Sequence, residues 1–174
     1  MNPILEAMKT RRSIRKFKPD MPEREAIEQI IEAGRYAASG MGAQATITLA
    51  ITNKDVRDRL MAANARALGH EGIDPFYGAP VILVVLRDKS FFTSIYDGSL
   101  VMGNMMLAAH ALGLGSIWIH RAKEEFEQPE WQALLKDLGI EGEWEGVGNL
   151  ALGYIEGEPP KAVPRKDGRV FFVD

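Results

Sequence analysis

Residues 80–86 read PVILVVL, seven positions without a polar side chain. The run is far too short to cross a bilayer, which takes about 20 apolar residues. Its β-branched content marks a strand, and a strand apolar on both faces has to be covered on both faces. It therefore belongs in the middle of a sheet with apolar layers on either side. Two other stretches read as helices. Behind Pro22, the residues Ile27, Ile30, Ile31 and Ala38 recur at helical spacing, and SGMGA at 39–43 ends that helix. Residues 97–113, DGSLVMGNMMLAAHALG, form a helix apolar nearly all round, which calls for burial within a domain or against a symmetric mate.

Other elements follow from local signals. Asn2 can cap a first helix with Pro3 in its first turn, and Ile4, Leu5 and Met8 share a face. ATITLAIT at 45–52 alternates and is β-branched, so it is a strand. A helix spans about Asp55 to Leu68, and GHEGIDPFYG is a loop. GSIWI at 115–119 and VGNLALGYI at 147–155 are further strands. KEEFEQPEWQALLKDLG contains an acidic amphipathic helix, and its KEEFEQPEW portion reads as a solvated face. The Met102, Met105 and Met106 cluster reads as core or dimer packing. The tail EGEPPKAVPRKDGRVFFV is an extended arm, with a strand expected at 169–173. Helices and strands mix irregularly, which argues for an α+β fold rather than a βαβ series.

The length of 174 residues suits one domain over 1–174. A net charge of −3 argues against general nucleic-acid binding, so any anion site must be local. Without cysteine there are no disulfides, thiolate metal sites or cysteine nucleophiles. The N-terminus lacks the pattern of a signal peptide, and a soluble, cytoplasmic protein is expected. GxSxG, HExxH and Walker A patterns are absent. GLGS at 113–116 follows a helix and precedes a strand, the reverse of the dinucleotide fingerprint. His70, His110 and His120 lie far apart, so no metal is expected. If the chain is an enzyme, a bound cofactor does the chemistry.

The remaining feature is KTRRSIRKFK at 9–18, with six basic residues in ten and none acidic. Three readings are open: a solvated loop, a surface for nucleic acid or anionic lipid, or a pocket for a phosphorylated small molecule. Ser13 among the arginines favours the pocket, because a hydroxyl and guanidinium forks suit phosphate oxygens. A second basic cluster, KAVPRKDGR at 161–169, could fold back to complete it.

RRSIRKF resembles the opening motif of the flavin-dependent nitroreductase family, in which such a run grips FMN. AGRYAASGMGAQ (33–44), FYGAPVILVV (76–85), DGSLVMGNMMLAAHALGLGSIWI (97–119) and PPKAVPRK (159–166) resemble further family segments in the same order, over nearly the whole chain. The resemblance implies a nitroreductase-like α+β fold, with a central, mostly antiparallel sheet flanked by helices and a C-terminal arm. It also implies a homodimer with FMN at the subunit interface. Arg11, Arg12 and Ser13 would bind the phosphate and ribityl chain, with Arg15 near the ring edge or phosphate. Arg165 and Lys166 would complete the phosphate site. Ser39, Met41 and Gln44 would come from the partner subunit. Trp118, Ile119 and His120 would run along the ring, and Asn64 would match a polar residue near its pyrimidine edge. No protein side chain is expected to be catalytic. Ala38, Gly42 and the His120–Arg121 pair stand where the family often has Pro, Asn and Glu-Gly, and the chain looks like the compact subgroup. The implied activity takes hydride from NADH or NADPH and reduces a small organic acceptor, a nitroaromatic or quinone, by a ping-pong mechanism. The alternatives are a narrower enoate or dehalogenating reductase, and a non-catalytic FMN carrier or redox sensor.

Overall fold

The computed structural model describes residues 2–173. Four strands, β1 (Thr46–Ile51), β2 (Val81–Asp88), β3 (Gly115–Ile119) and β4 (Trp144–Gly153), form one sheet in the order β1-β2-β4-β3. Every pairing is antiparallel. The apolar run is central, as its composition demands. Ile82, Val84 and Leu86 face one layer and Val81, Leu83 and Val85 the other.

Six helices supply the layers: α1 (Pro3–Thr10), α2 (Arg24–Arg35), α3 (Lys54–Leu68), α4 (Ser94–Ala111), α5 (Ala122–Phe126) and α6 (Pro129–Asp137). Leu60 of α3, Phe126 of α5 and Trp131 and Leu135 of α6 cover the first face. Ile27 and Ile30 of α2, with Val101, Met102 and Met105 of α4, cover the second. The two helices of this layer approach closely at Gly34, where an added Cβ would lie 2.7 Å from Met105 Cγ. Asn2 caps α1, its side chain accepting the amides of Ile4 and Leu5.

The structure corrects four expectations. First, α4 begins at Ser94 rather than 97, because the Ser94 hydroxyl reaches back to the carbonyls of Asp88 and Phe91 and sets the turn there. It is also buried on one face only, with Ile95, Tyr96 and Leu100 open to solvent. Second, the acidic helix is two helices. Pro129 has no N–H to donate, and Gln128 before it is extended (φ −79, ψ 142). Third, Glu125 of the supposedly solvated KEEFEQPEW face is fully buried, while Glu127 stays exposed. Fourth, residues 169–173 form no strand. They are exposed and paired with no sheet edge among the described residues.

The basic stretch is pinned rather than loose. Ile14 and Phe17 are buried in the core between exposed Arg15, Lys16 and Lys18. Ser13 bridges Ser116 of β3 in parallel, and Phe17 bridges Ile155. The amide of Ile14 donates to the Ser116 carbonyl at 3.1 Å.

Candidate functional site

The run of arginines leaves the end of α1 at a fixed angle, because Arg11 is the cap residue and its amide donates to the Ala7 carbonyl. Arg12 turns back and donates to the carbonyls of Lys9 and Arg11, at 2.8 and 2.7 Å. These contacts fix its guanidinium beside that of Arg11. Nη1 of Arg11 is shut off from solvent and has no acceptor. Burial, then the Arg12 charge, holds the Arg11 pKa below its ordinary value. A buried N–H donor without a partner is costly, and two adjacent guanidinium groups repel. An anion at the accessible edge of the pair would relieve the repulsion, and a small movement of Arg11 would give Nη1 its acceptor.

The bridge from Ser13 to Ser116 sets this cation pair beside β3, two residues before Trp118. The Trp118 indole lies over Gly148 of β4, where an added Cβ would fall 2.7 Å from Cε2, so only glycine fits. Trp118 Nε1 is likewise sealed and unpartnered. Its ring and that of His120 stand 6.3 Å apart. Ile119 points to the other face and packs in the first core layer. At the strand end His120 is exposed, and Arg121 adopts a left-handed conformation (φ 83) and pairs with Glu124 at 3.0 Å.

Asn64 lies beneath this turn, almost wholly buried. It donates to the His120 carbonyl at 2.8 Å and to Glu125. Glu125 also accepts from the Asn149 amide. Burial pushes the Glu125 pKa up to about 7, against the lowering effect of the Asn149 and Asn64 hydrogen bonds, and the Glu124 charge adds to the rise. Asn64 thus supports the His120 carbonyl from inside and is spent on interior partners. Glu125 and Asn149 were not singled out in the sequence. One signal existed: Ala122, Glu125 and Phe126 share a helix face, and all three are buried.

A second group forms around residues 39–44. The Ser39 hydroxyl oxygen accepts the Gln44 amide at 3.1 Å, Met41 projects into solvent, and Gln44 is exposed. This loop sits against the N-terminal turn of α4, where its Gly40 amide donates to Asp97 at 3.1 Å. The arginine group sits at the opposite end of α4, where Thr10 and His110 meet at 2.9 Å. Asp97 and His110 are thirteen helical steps apart, about 20 Å at 1.5 Å per residue. One chain therefore does not bring the two groups together. Arg165 and Lys166 lie in the exposed tail, and no hydrogen bond or ion pair ties them to Arg11 among the described residues.

The nitroreductase family model matches residues 8–154. A Methanothermobacter thermautotrophicus protein provisionally named NADH dehydrogenase/NAD(P)H nitroreductase is 30% identical over 124 residues, 66% of this chain and 59% of that protein. The chain thus spans under two thirds of this relative. An iodotyrosine deiodinase from Thermotoga neapolitana is 25% identical over 186 residues, 96% of both proteins. The crystal structure of a nitroreductase with bound FMN from Bacteroides fragilis superposes with a TM-score of 0.88 at 30% identity, covering all of both chains.

Proposed function

This chain belongs to the nitroreductase family, and on that premise we propose that it is an FMN-dependent oxidoreductase fed by NADH or NADPH. The carrying observation is the buried, unpartnered Nη1 of Arg11 beside Arg12. A phosphate dianion supplies the acceptor and the countercharge that this pair lacks. Similarity to a structure with bound FMN supports that choice of anion. Arg11, Arg12 and Ser13 hold the phosphate, and Arg165 and Lys166 of the tail add to it. Trp118, His120 and the backbone of Ile119 line the ring. In this reading Arg15, which is exposed, offsets the negative charge gained on reduction. Held by these residues, FMN would supply the hydride-accepting and electron-donating chemistry between a nicotinamide and a small organic acceptor, so no side chain need act as a nucleophile.

The working unit in this reading is a homodimer. The arginine group and the 39–44 loop occupy opposite ends of α4, and the outward face of that helix carries Ile95, Tyr96 and Leu100. A second copy with its α4 crossing antiparallel covers that face. It also lays Ser39, Met41 and Gln44 of one chain beside the arginines of the other.

The test is FMN titration of the apoprotein. Arg11→Ala should weaken binding about 10- to 100-fold, the worth of one charge-assisted hydrogen bond. An unchanged affinity would remove the phosphate assignment. Reductive dehalogenation is a second reading, favoured by the deiodinase relative, which aligns over 96% of both chains. Halide release from a halophenol, with no turnover of nitroaromatics or quinones, would select it.

A further inference from the structure

The loop at 39–44 has an unusual backbone. Met41, Gly42 and Gln44 all have positive φ, at 54, 67 and 50°. Two of the three are not glycine, and side-chain residues enter this region only under strain. Inside the loop, the Gly42 and Ala43 amides donate to the Ser39 and Gly40 carbonyls, the Ser39 hydroxyl accepts the Gln44 amide, and the Gln44 carbonyl accepts the Thr46 amide. The main brace comes from α4. Asp97, 4% exposed, accepts the Gly40 amide on Oδ1 and the Thr93 hydroxyl on Oδ2, both at 3.1 Å. Gly40 is pressed against the same pair, for an added Cβ would lie 2.9 Å from Thr93 Cβ and Cγ2. The loop is thus rigid at its base, while Met41 at its tip is 87% exposed.

A buried carboxylate needs a reason, because burial of charge is unfavourable unless it is compensated. The compensation comes from the Gly40 amide and the Thr93 hydroxyl, near the positive end of the α4 dipole. What the carboxylate secures is not core packing but the shape of one strained, outward-facing loop. We propose that Asp97 and Thr93 are positioning residues for the flavin ring. They hold Ser39, Met41 and Gln44 in the geometry that meets the ring in the second copy. This rests on the function proposed above.

The test compares Asp97→Ala, Asp97→Asn and Thr93→Val with the wild type. The readouts are FMN dissociation constant, midpoint potential and visible spectrum of bound flavin, and thermal midpoint. Asp97→Asn keeps Oδ1 for the Gly40 amide and should stay within about threefold of wild-type affinity. Asp97→Ala should lose about tenfold or more and shift the potential and the flavin bands. Thr93→Val, nearly isosteric, should fall between them, and it carries the test if Asp97→Ala does not fold. A lower thermal midpoint with unchanged affinity, potential and spectrum in Asp97→Ala, or in Thr93→Val where Asp97→Ala does not fold, overturns the proposal and leaves Asp97 structural. A wild type that binds no FMN overturns the underlying function as well, so the two failures are told apart.

Discussion

Glu125 lies between two asparagines in the interior, with its pKa at about 7 instead of 4.5. The raised value fixes the sign of a stability effect. Between those two values the folded state keeps a proton that the unfolded state has released. Stability therefore falls as pH rises through that window, by on the order of 3 kcal/mol in all. Asp58, Asp88, Glu124 and Glu145, whose pKa values are lowered, act in the other direction and at lower pH. Urea midpoints should therefore fall as pH rises from 4.5 to about 7, and Glu125→Gln should flatten that slope. An identical slope in the variant would place the proton elsewhere. This residue shows where sequence reading stops. A glutamate among glutamates looks solvated, and only the helix face it shares with Phe126 sends it inward. Arg11 and Arg12 stood out for the opposite reason, since a dense cation cluster raises the question of a countercharge before any geometry is known.

At the scale of elements, β4 and α5 are locked together at Gly146. An added Cβ there would run into the backbone of Ala122 and Lys123, which cannot rotate away as a side chain could. Gly146→Ala should cost about 3 kcal/mol in urea unfolding, at the upper end of overpacking effects. It should also weaken FMN binding, because α5 follows the His120–Arg121 turn. A variant as stable as the wild type would mean that α5 can slide on the sheet. The four strands were readable because their patterns are local: β1 alternates and β2 is apolar throughout. The split between α5 and α6 turned on one proline inside an otherwise helical pattern. The VFFV segment has strand composition, but a strand needs an edge to pair with, and composition does not say whether one is within reach.

At the scale of the whole molecule, uncovered apolar surface is the dominant feature. Tyr96 and Leu100 are 70% and 50% exposed on α4, and Phe171 and Phe172 are more than four fifths exposed on the tail. Apolar side chains exposed in this way are what a partner would cover. In the proposed dimer, Leu100→Glu places a charge in the interface. It should turn a two-copy species into a monomer by light scattering and abolish FMN retention in the same step, because the arginine group and the 39–44 loop meet only between copies. A monomer that still holds FMN would show that one chain suffices. The motifs identified both groups in the sequence. The residue pattern by itself did not show their separation along α4; the family resemblance implied it by assigning Ser39, Met41 and Gln44 to the partner subunit.

One absorbance spectrum tests the central claim most directly. The purified protein, supplied with FMN, is scanned between about 300 and 550 nm before and after anaerobic addition of NADH or NADPH. The account requires flavin bands that remain with the protein through desalting and bleach when the nicotinamide is added. Bands that persist unbleached with both nucleotides would contradict a nicotinamide-fed reductase and leave a flavin carrier. No retained flavin at all would contradict the assignment of Arg11 and Arg12 to a flavin phosphate.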